Sequence, residues 1–69
     1  MTAIISIEDA RRANETSDVV RAGQWVVLDA GGLVLRVCET EAEALVAAEE
    51  IEEEFDRDTS VQKVVESDA

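Results

Sequence analysis

The sequence predicts an α+β fold in the order helix, antiparallel β-hairpin, amphipathic acidic helix and short C-terminal strand. Two observations carry this prediction. Two runs of β-branched and apolar residues flank the pair Gly31–Gly32, which is typical of a hairpin. Later in the sequence, residues 41–57 repeat small and apolar side chains at helical spacing. Because 69 residues is the length of one small domain, we predict a single domain over residues 1–69.

The first predicted helix spans about residues 7–21. Ser6 supplies a capping hydroxyl, and two acids follow in the first turn, where the helix dipole favours them. Small and apolar residues then recur at helical spacing at Ile7, Ala10, Ala13, Ser17 and Val20. Gly23 suits the end of this helix. Residues 16–18 form a second capping sequence, which leaves a break at that point as the alternative.

The predicted hairpin spans about residues 24–38 and is apolar on both faces. Trp25 and Val27 share one face, because successive strand residues alternate, and the apolar residues that follow each of them fill the other face. A sheet of this kind must be covered on both sides. One cover is the following helix, and the other is either the first helix or a second copy of the chain. For a homodimer, the candidate face comprises Trp25, Val27, Val34 and Arg36.

The second predicted helix spans about residues 41–57. Thr40 and Glu43 have the spacing of a capping box, in which the hydroxyl and the carboxylate satisfy each other's backbone amides. The predicted buried stripe comprises Ala44, Ala47, Ala48, Ile51 and Phe55, and glutamates fill the rest of the helix circumference. Residues 60–66 then alternate weakly and predict a short last strand beside the hairpin.

The net charge of −11 is concentrated in this second helix. Ten of the seventeen acids lie between Glu39 and Asp58, with Arg57 as the one base among them. Such charge runs often mark only a solvated face, yet like charges four residues apart each cost roughly 0.2–0.5 kcal/mol. We therefore expect a surface that binds a basic partner, with solubility alone as the alternative. The candidate partner-binding residues are Glu43, Glu49, Glu50, Glu53, Glu54 and Asp56.

Composition argues against catalysis and against several classes of partner. The chain has no histidine, and its single cysteine, Cys38, has no base to activate it. We predict no enzyme, no cofactor and no metal site. The acidic balance disfavours direct binding of nucleic acid or anionic membranes. The sequence lacks a recognisable signal peptide and a membrane-length apolar run, so we expect a cytoplasmic protein.

One resemblance rests on two short motifs. The segment Gly23-Gln24-Trp25-Val26-Val27 and the segment Thr40-Glu41-Ala42-Glu43-Ala44 resemble small uncharacterised bacterial domains. Those domains have a G-x-aromatic-V strand, a hairpin, a T-x-x-E-A helix and a short final strand. The resemblance covers about residues 23–66 and implies a fold but no activity. In size and acidity alone, the chain is similar to phage anti-defence inhibitors, including anti-CRISPR proteins.

These observations predict a non-enzymatic protein-interaction module. Ten carboxylates along a 17-residue helix give about one charge per 2.6 Å, comparable with roughly one per 1.7 Å along duplex DNA. A phage or mobile-element inhibitor that mimics DNA, and so occludes a basic nucleic-acid-binding surface, is therefore our first expectation. The alternatives are an antitoxin that neutralises a basic toxin, and a structural dimerisation module whose acids serve solubility only.

Overall fold

A computed structural model describes residues 3–66 of the chain and confirms the α+β fold. The ends of the predicted domain, residues 1–2 and 67–69, lie outside the described range. The elements in chain order are β1 (Ala3–Ser6), α1 (Ile7–Ala13), β2 (Trp25–Asp29), β3 (Val34–Cys38), α2 (Glu41–Phe55) and β4 (Thr59–Val65). The four strands form one mixed sheet in the order β1-β4-β2-β3.

The last strand, β4, is central to this sheet. It pairs antiparallel with β2, where Val27 lies opposite Val61, and parallel with β1, where Ile5 lies opposite Val64. The predicted strand beside the hairpin is thus confirmed. The sequence analysis did not predict β1, because four residues are too short to show an alternating pattern. This strand forms only through its pairing with a segment near the other end of the chain.

Both faces of the sheet are covered within the one chain. On one face, α1 and the segment that follows it enclose a first core of Ala10, Val20, Val26, Leu28, Val34 and Val64. On the other face, α2 encloses a second core of Val27, Cys38, Ala44, Ala47, Ala48 and Ile51. The prediction that the following helix covers one face is confirmed. Of the two covers expected for the other face, the first helix or a second copy, the structure has the first helix together with the segment after it.

The first helix is much shorter than predicted, because α1 ends at Ala13 rather than near residue 21. The Asn14 side chain ends the helix by forming hydrogen bonds with residues that follow it in the sequence. Its Oδ1 accepts from Thr16 N at 2.9 Å and from Thr16 Oγ1 at 2.6 Å, and its Nδ2 donates to the Asp18 carbonyl at 2.7 Å. Such local bonds compete with helix formation. Val20 is still buried, but it reaches the core from an irregular segment.

The second helix agrees with its prediction except at its end. It begins after Thr40 and ends at Phe55, followed by Asp56 in the left-handed conformation at φ 51°. The predicted buried stripe is correct for Ala44, Ala47, Ala48 and Ile51. It is wrong for Phe55, which is 59% exposed. The last turn leaves a cleft of about 230 Å³ between Phe55 and Leu35, so the ring does not pack closely on the sheet.

The cap at the end of α2 gives a stability prediction. Asp56 is the one described non-glycine residue with a positive φ, a conformation that suits glycine better. We expect Asp56→Gly to raise the free energy of unfolding by about 0.5–1 kcal/mol, as measured by urea denaturation. Asp58→Gly is the matched control, since it removes the same charge at an ordinary backbone conformation. Equal effects of the two substitutions would contradict the assignment of strain to Asp56.

Candidate partner-binding surface

The start of α2 is fixed by the hydroxyl half of the predicted capping box. Thr40 Oγ1 accepts a hydrogen bond from Glu43 N at 3.2 Å, which satisfies a backbone donor that the first turn of a helix leaves unpaired. The Glu43 carboxylate reaches one residue further back than in a capping box, since its Oε2 accepts from Glu39 N at 3.3 Å. Because the alanine side of α2 packs on the sheet, the cap also fixes which side chains of α2 point outward.

Beyond Glu41 at its first position, α2 carries six exposed glutamates: Glu43, Glu49, Glu50, Glu52, Glu53 and Glu54. Within residues 3–66, the ion pairs join Arg12 to Asp9 and Arg57 to Asp29, so none of these six glutamates is neutralised by a base. Two of them accept hydrogen bonds, Glu43 from Glu39 N and Glu52 from Thr59 Oγ1 at 2.7 Å. The outer face of α2 is therefore a concentrated, uncompensated negative surface.

Two apolar side chains lie exposed among these glutamates. Leu45 is 52% exposed and Val46 is 55% exposed. Val46 lines a cleft of about 520 Å³ beside β3, together with Glu43 and Glu50. Leu45 lines a separate cleft beside β4, whose acidic residues are Glu41, Glu49 and Glu52. We define the α2 outer face as these six glutamates with Leu45 and Val46, so that it combines charge with apolar area.

The other candidate residue at this end, Asp56, lies beyond the helix as its C-terminal cap. It is exposed, but its left-handed backbone takes it out of the helical array. The neighbouring Arg57 turns toward the hairpin, where its NH1 atom lies 4.0 Å from Asp29 Oδ2. Asp29 Oδ1 meanwhile accepts from the backbone amides of Gly31 and Leu33, both at 2.9 Å. The structure therefore groups Glu43, Glu49, Glu50, Glu53 and Glu54 on one helix and separates Asp56 from them.

The four residues of the candidate dimer face do not form a common exposed surface. Val27 and Val34 are fully buried, and they lie in the two different cores of the chain itself. Trp25 is half-buried, with Lys63 Nζ 5.9 Å from the centre of its ring. Arg36 alone is exposed. These four residues therefore offer no shared surface to a second copy, because α1 and α2 cover both sides of the hairpin. A homodimer stays a prediction.

Cys38 is the remaining residue that the sequence singled out for its chemistry. It is buried against α2, and burial, followed by the negative charge of Glu43, raises the pKa of its thiol. Both effects disfavour the thiolate that a nucleophile requires. Among residues 3–66, no three acidic or cysteine side chains cluster closely enough to hold a metal ion.

Comparisons with protein-family models, curated proteins and solved structures each found no match for this chain. The resemblance to small bacterial domains, based on the segments at Gly23 and Thr40, thus remains a prediction. No helix within the described part of the chain is long and apolar enough to cross a bilayer.

Leu45 and Val46 are not among the residues that the sequence predicts for this surface. A signal was nonetheless present for Val46. At 100° per residue, it falls on the side of the helix opposite Ala44 and between Glu50 and Glu53, where a residue needed only for solubility would be polar.

The buried thiol gives a prediction for pH and reactivity. We expect Cys38 to react with iodoacetamide more slowly in the folded chain than in urea. Because folding raises its pKa, the stability contributed by the neutral thiol is present below the ordinary thiol pKa and is lost as pH rises through the folded pKa. Urea denaturation between pH 7 and 10 measures this loss. In Cys38→Ala this component should vanish, and an identical pH dependence in both proteins would contradict the prediction.

Proposed function

We propose that this protein is a non-enzymatic interaction module whose α2 outer face binds a basic surface on another protein. The proposal is supported by six exposed glutamates without basic partners among the described residues. Mutual repulsion of such charges destabilises the isolated helix. A partner that carries lysine and arginine relieves this repulsion on binding, and its attraction also speeds the encounter.

The observation that carries the proposal is the exposure of Leu45 and Val46 among those glutamates. A face that served solubility alone would gain nothing from two half-exposed aliphatic side chains. A protein interface, in contrast, combines apolar area with polar groups that set the orientation of the partner. The two clefts that flank α2 provide concave places for the partner's side chains.

The partner class we favour is a protein whose basic surface normally binds nucleic acid. Seven glutamates over the fifteen residues of α2 present negative charge at a density that approaches that of a nucleic acid strand. A small inhibitor encoded by a phage or mobile element would act by occupying that basic surface. Occlusion of this kind requires no catalytic residue, only affinity and size.

The test compares two variants with the same net charge. In the first, Glu49, Glu50, Glu53 and Glu54 are replaced by glutamine. In the control, Glu8, Glu15 and Glu66 become glutamine and Asp18 becomes asparagine, all at exposed positions away from α2. Each protein is immobilised and used to capture partners from a lysate of its native host. Identification of the captured protein then separates a nucleic-acid-binding target from a toxin.

We expect the wild-type chain and the control to retain the same partner, and the α2 variant to lose at least tenfold in affinity. Binding of the wild-type chain should also weaken steeply between 50 and 500 mM salt, because exposed charges are screened. The α2 variant should be at least as stable as the wild type, since it loses like-charge pairs. Undiminished binding by a folded α2 variant would overturn the proposal.

A further inference from the structure

We propose that the groove between β3 and α2 receives a short extended segment of the basic partner, which adds to the sheet beside β3. This inference rests on the proposed function and specifies how the partner is held. The groove consists of two clefts of about 520 and 230 Å³ that share Arg36. Its apolar lining comprises Leu35, Cys38, Val46, Ala47, Ile51 and Phe55.

The strand that borders this groove is an edge of the sheet. In the order β1-β4-β2-β3, β3 pairs on one side with β2 and has no strand on its other side. A single bridge joins Val34, at its start, to Asn14. The rest of the strand, residues 35–38, has no partner strand among the described residues, and the irregular segment at Ser17, Asp18, Val19 and Arg21 leaves a cleft beside Val37 and Glu39 there. An open edge of this kind is a template for an added strand.

The hydrogen-bond pattern identifies Val37 as an outward-pointing residue. Val64 N donates to Gln24 O at 2.8 Å, and Asp29 N donates to Leu33 O at 2.9 Å. Residue 24 thus bonds toward β4 and residue 29 toward β3, and the bonding direction alternates along β2. Residues 25 and 27 therefore bond toward β3, where their partners are residues 38 and 36. The intervening Val37 presents its N–H and C=O to the open edge.

The length of the added segment is limited by the two ends of this edge. The bridge from Asn14 occupies the position beside Val34. At the other end, the Glu39 amide is already bound to the Glu43 carboxylate. About three to four residues of β3 remain accessible between them, which suits a short extended peptide and not a long strand.

The charges of the groove indicate which side chains the segment carries. Glu43 and Glu50 line the larger cleft, with the exposed Val46 on the same wall. A lysine or arginine beside an aliphatic residue complements this end. Arg36 and Arg57 line the smaller cleft with Phe55, so an apolar side chain is favoured there over a second base.

A second copy of the chain is a poorer occupant. Antiparallel pairing of two β3 edges would place both α2 helices on the same side of the joined sheet. Glu43 and Glu50 of one copy would then approach the same residues of the other, and each copy carries a net charge of −11. Like charges at an interface are unfavourable, whereas a basic segment is attracted.

The test uses three capped nine-residue peptides and chemically synthesised protein. The first peptide alternates lysine with valine, the second alternates glutamate with valine, and the third repeats the first with N-methyl groups on alternate amides. The protein is made with its native sequence, with N-methyl-Val37, and with N-methyl-Ala30 as the control. Ala30 is exposed, lies outside any helix or strand and lines neither cleft of the groove. Binding is followed by NMR chemical shifts and by hydrogen exchange of the Val37 amide in the native chain.

We expect the lysine–valine peptide to bind the native chain and the Ala30 control alike and to protect the Val37 amide from exchange. N-methyl-Val37 should weaken this binding at least fivefold, and the glutamate–valine and N-methylated peptides should bind at least fivefold more weakly. Equal binding of the lysine–valine peptide to the N-methyl-Val37 chain, or equal binding of the glutamate–valine peptide, would overturn the proposal. A dimer of the native chain that is observed by sedimentation and is dissociated by N-methyl-Val37 would also overturn the proposal.

The same synthetic chain separates this inference from the proposed function. If N-methyl-Val37 protein still captures from lysate the partner that the four-glutamine α2 variant loses, the groove proposal fails and the surface proposal stands. If the α2 variant retains its partner, the proposed function itself fails. Loss of the partner by both proteins, with the Ala30 control unaffected, supports both proposals.

Discussion

The fold depends on one constraint, which is that the hairpin is apolar on both faces and both must be removed from water. A chain of 69 residues has little other material with which to build a core. Here α1 and residues 14–22 cover Val26, Leu28 and Val34, while α2 covers Val27 and Cys38. Because α2 is bound to the sheet by this requirement, the direction of its remaining side chains is fixed as well.

The narrowness of the alanine stripe has a further consequence for the surface. Ala44, Ala47 and Ala48 permit a close approach of α2 to the sheet, but they span only one side of the helix. Leu45 and Val46 lie outside this stripe and remain exposed. A solvent-facing helix of this kind leaves a cleft on each side, and the open edge of β3 borders one of them.

How far the sequence predicts this structure depends on whether the signal is local. The hairpin, the hydroxyl cap at Thr40 and most of the α2 stripe follow from neighbouring residues and are correctly predicted. The strand β1 depends on pairing with distant β4, and the early end of α1 depends on the side-chain bonds of Asn14. The glutamates of the candidate surface are visible in the sequence. The groove beside β3 is not, since it requires the position of Val37 at a sheet edge.

The central claim is that the glutamates and the exposed aliphatic residues of the α2 outer face act together in binding. Methyl NMR of the chain with and without its captured partner tests this most directly. We predict that the methyl signals of Leu45 and Val46 shift on binding while that of Ile4, also exposed but on β1 at the opposite edge of the sheet, does not. A shift at Ile4 with none at Leu45 and Val46 would contradict the account.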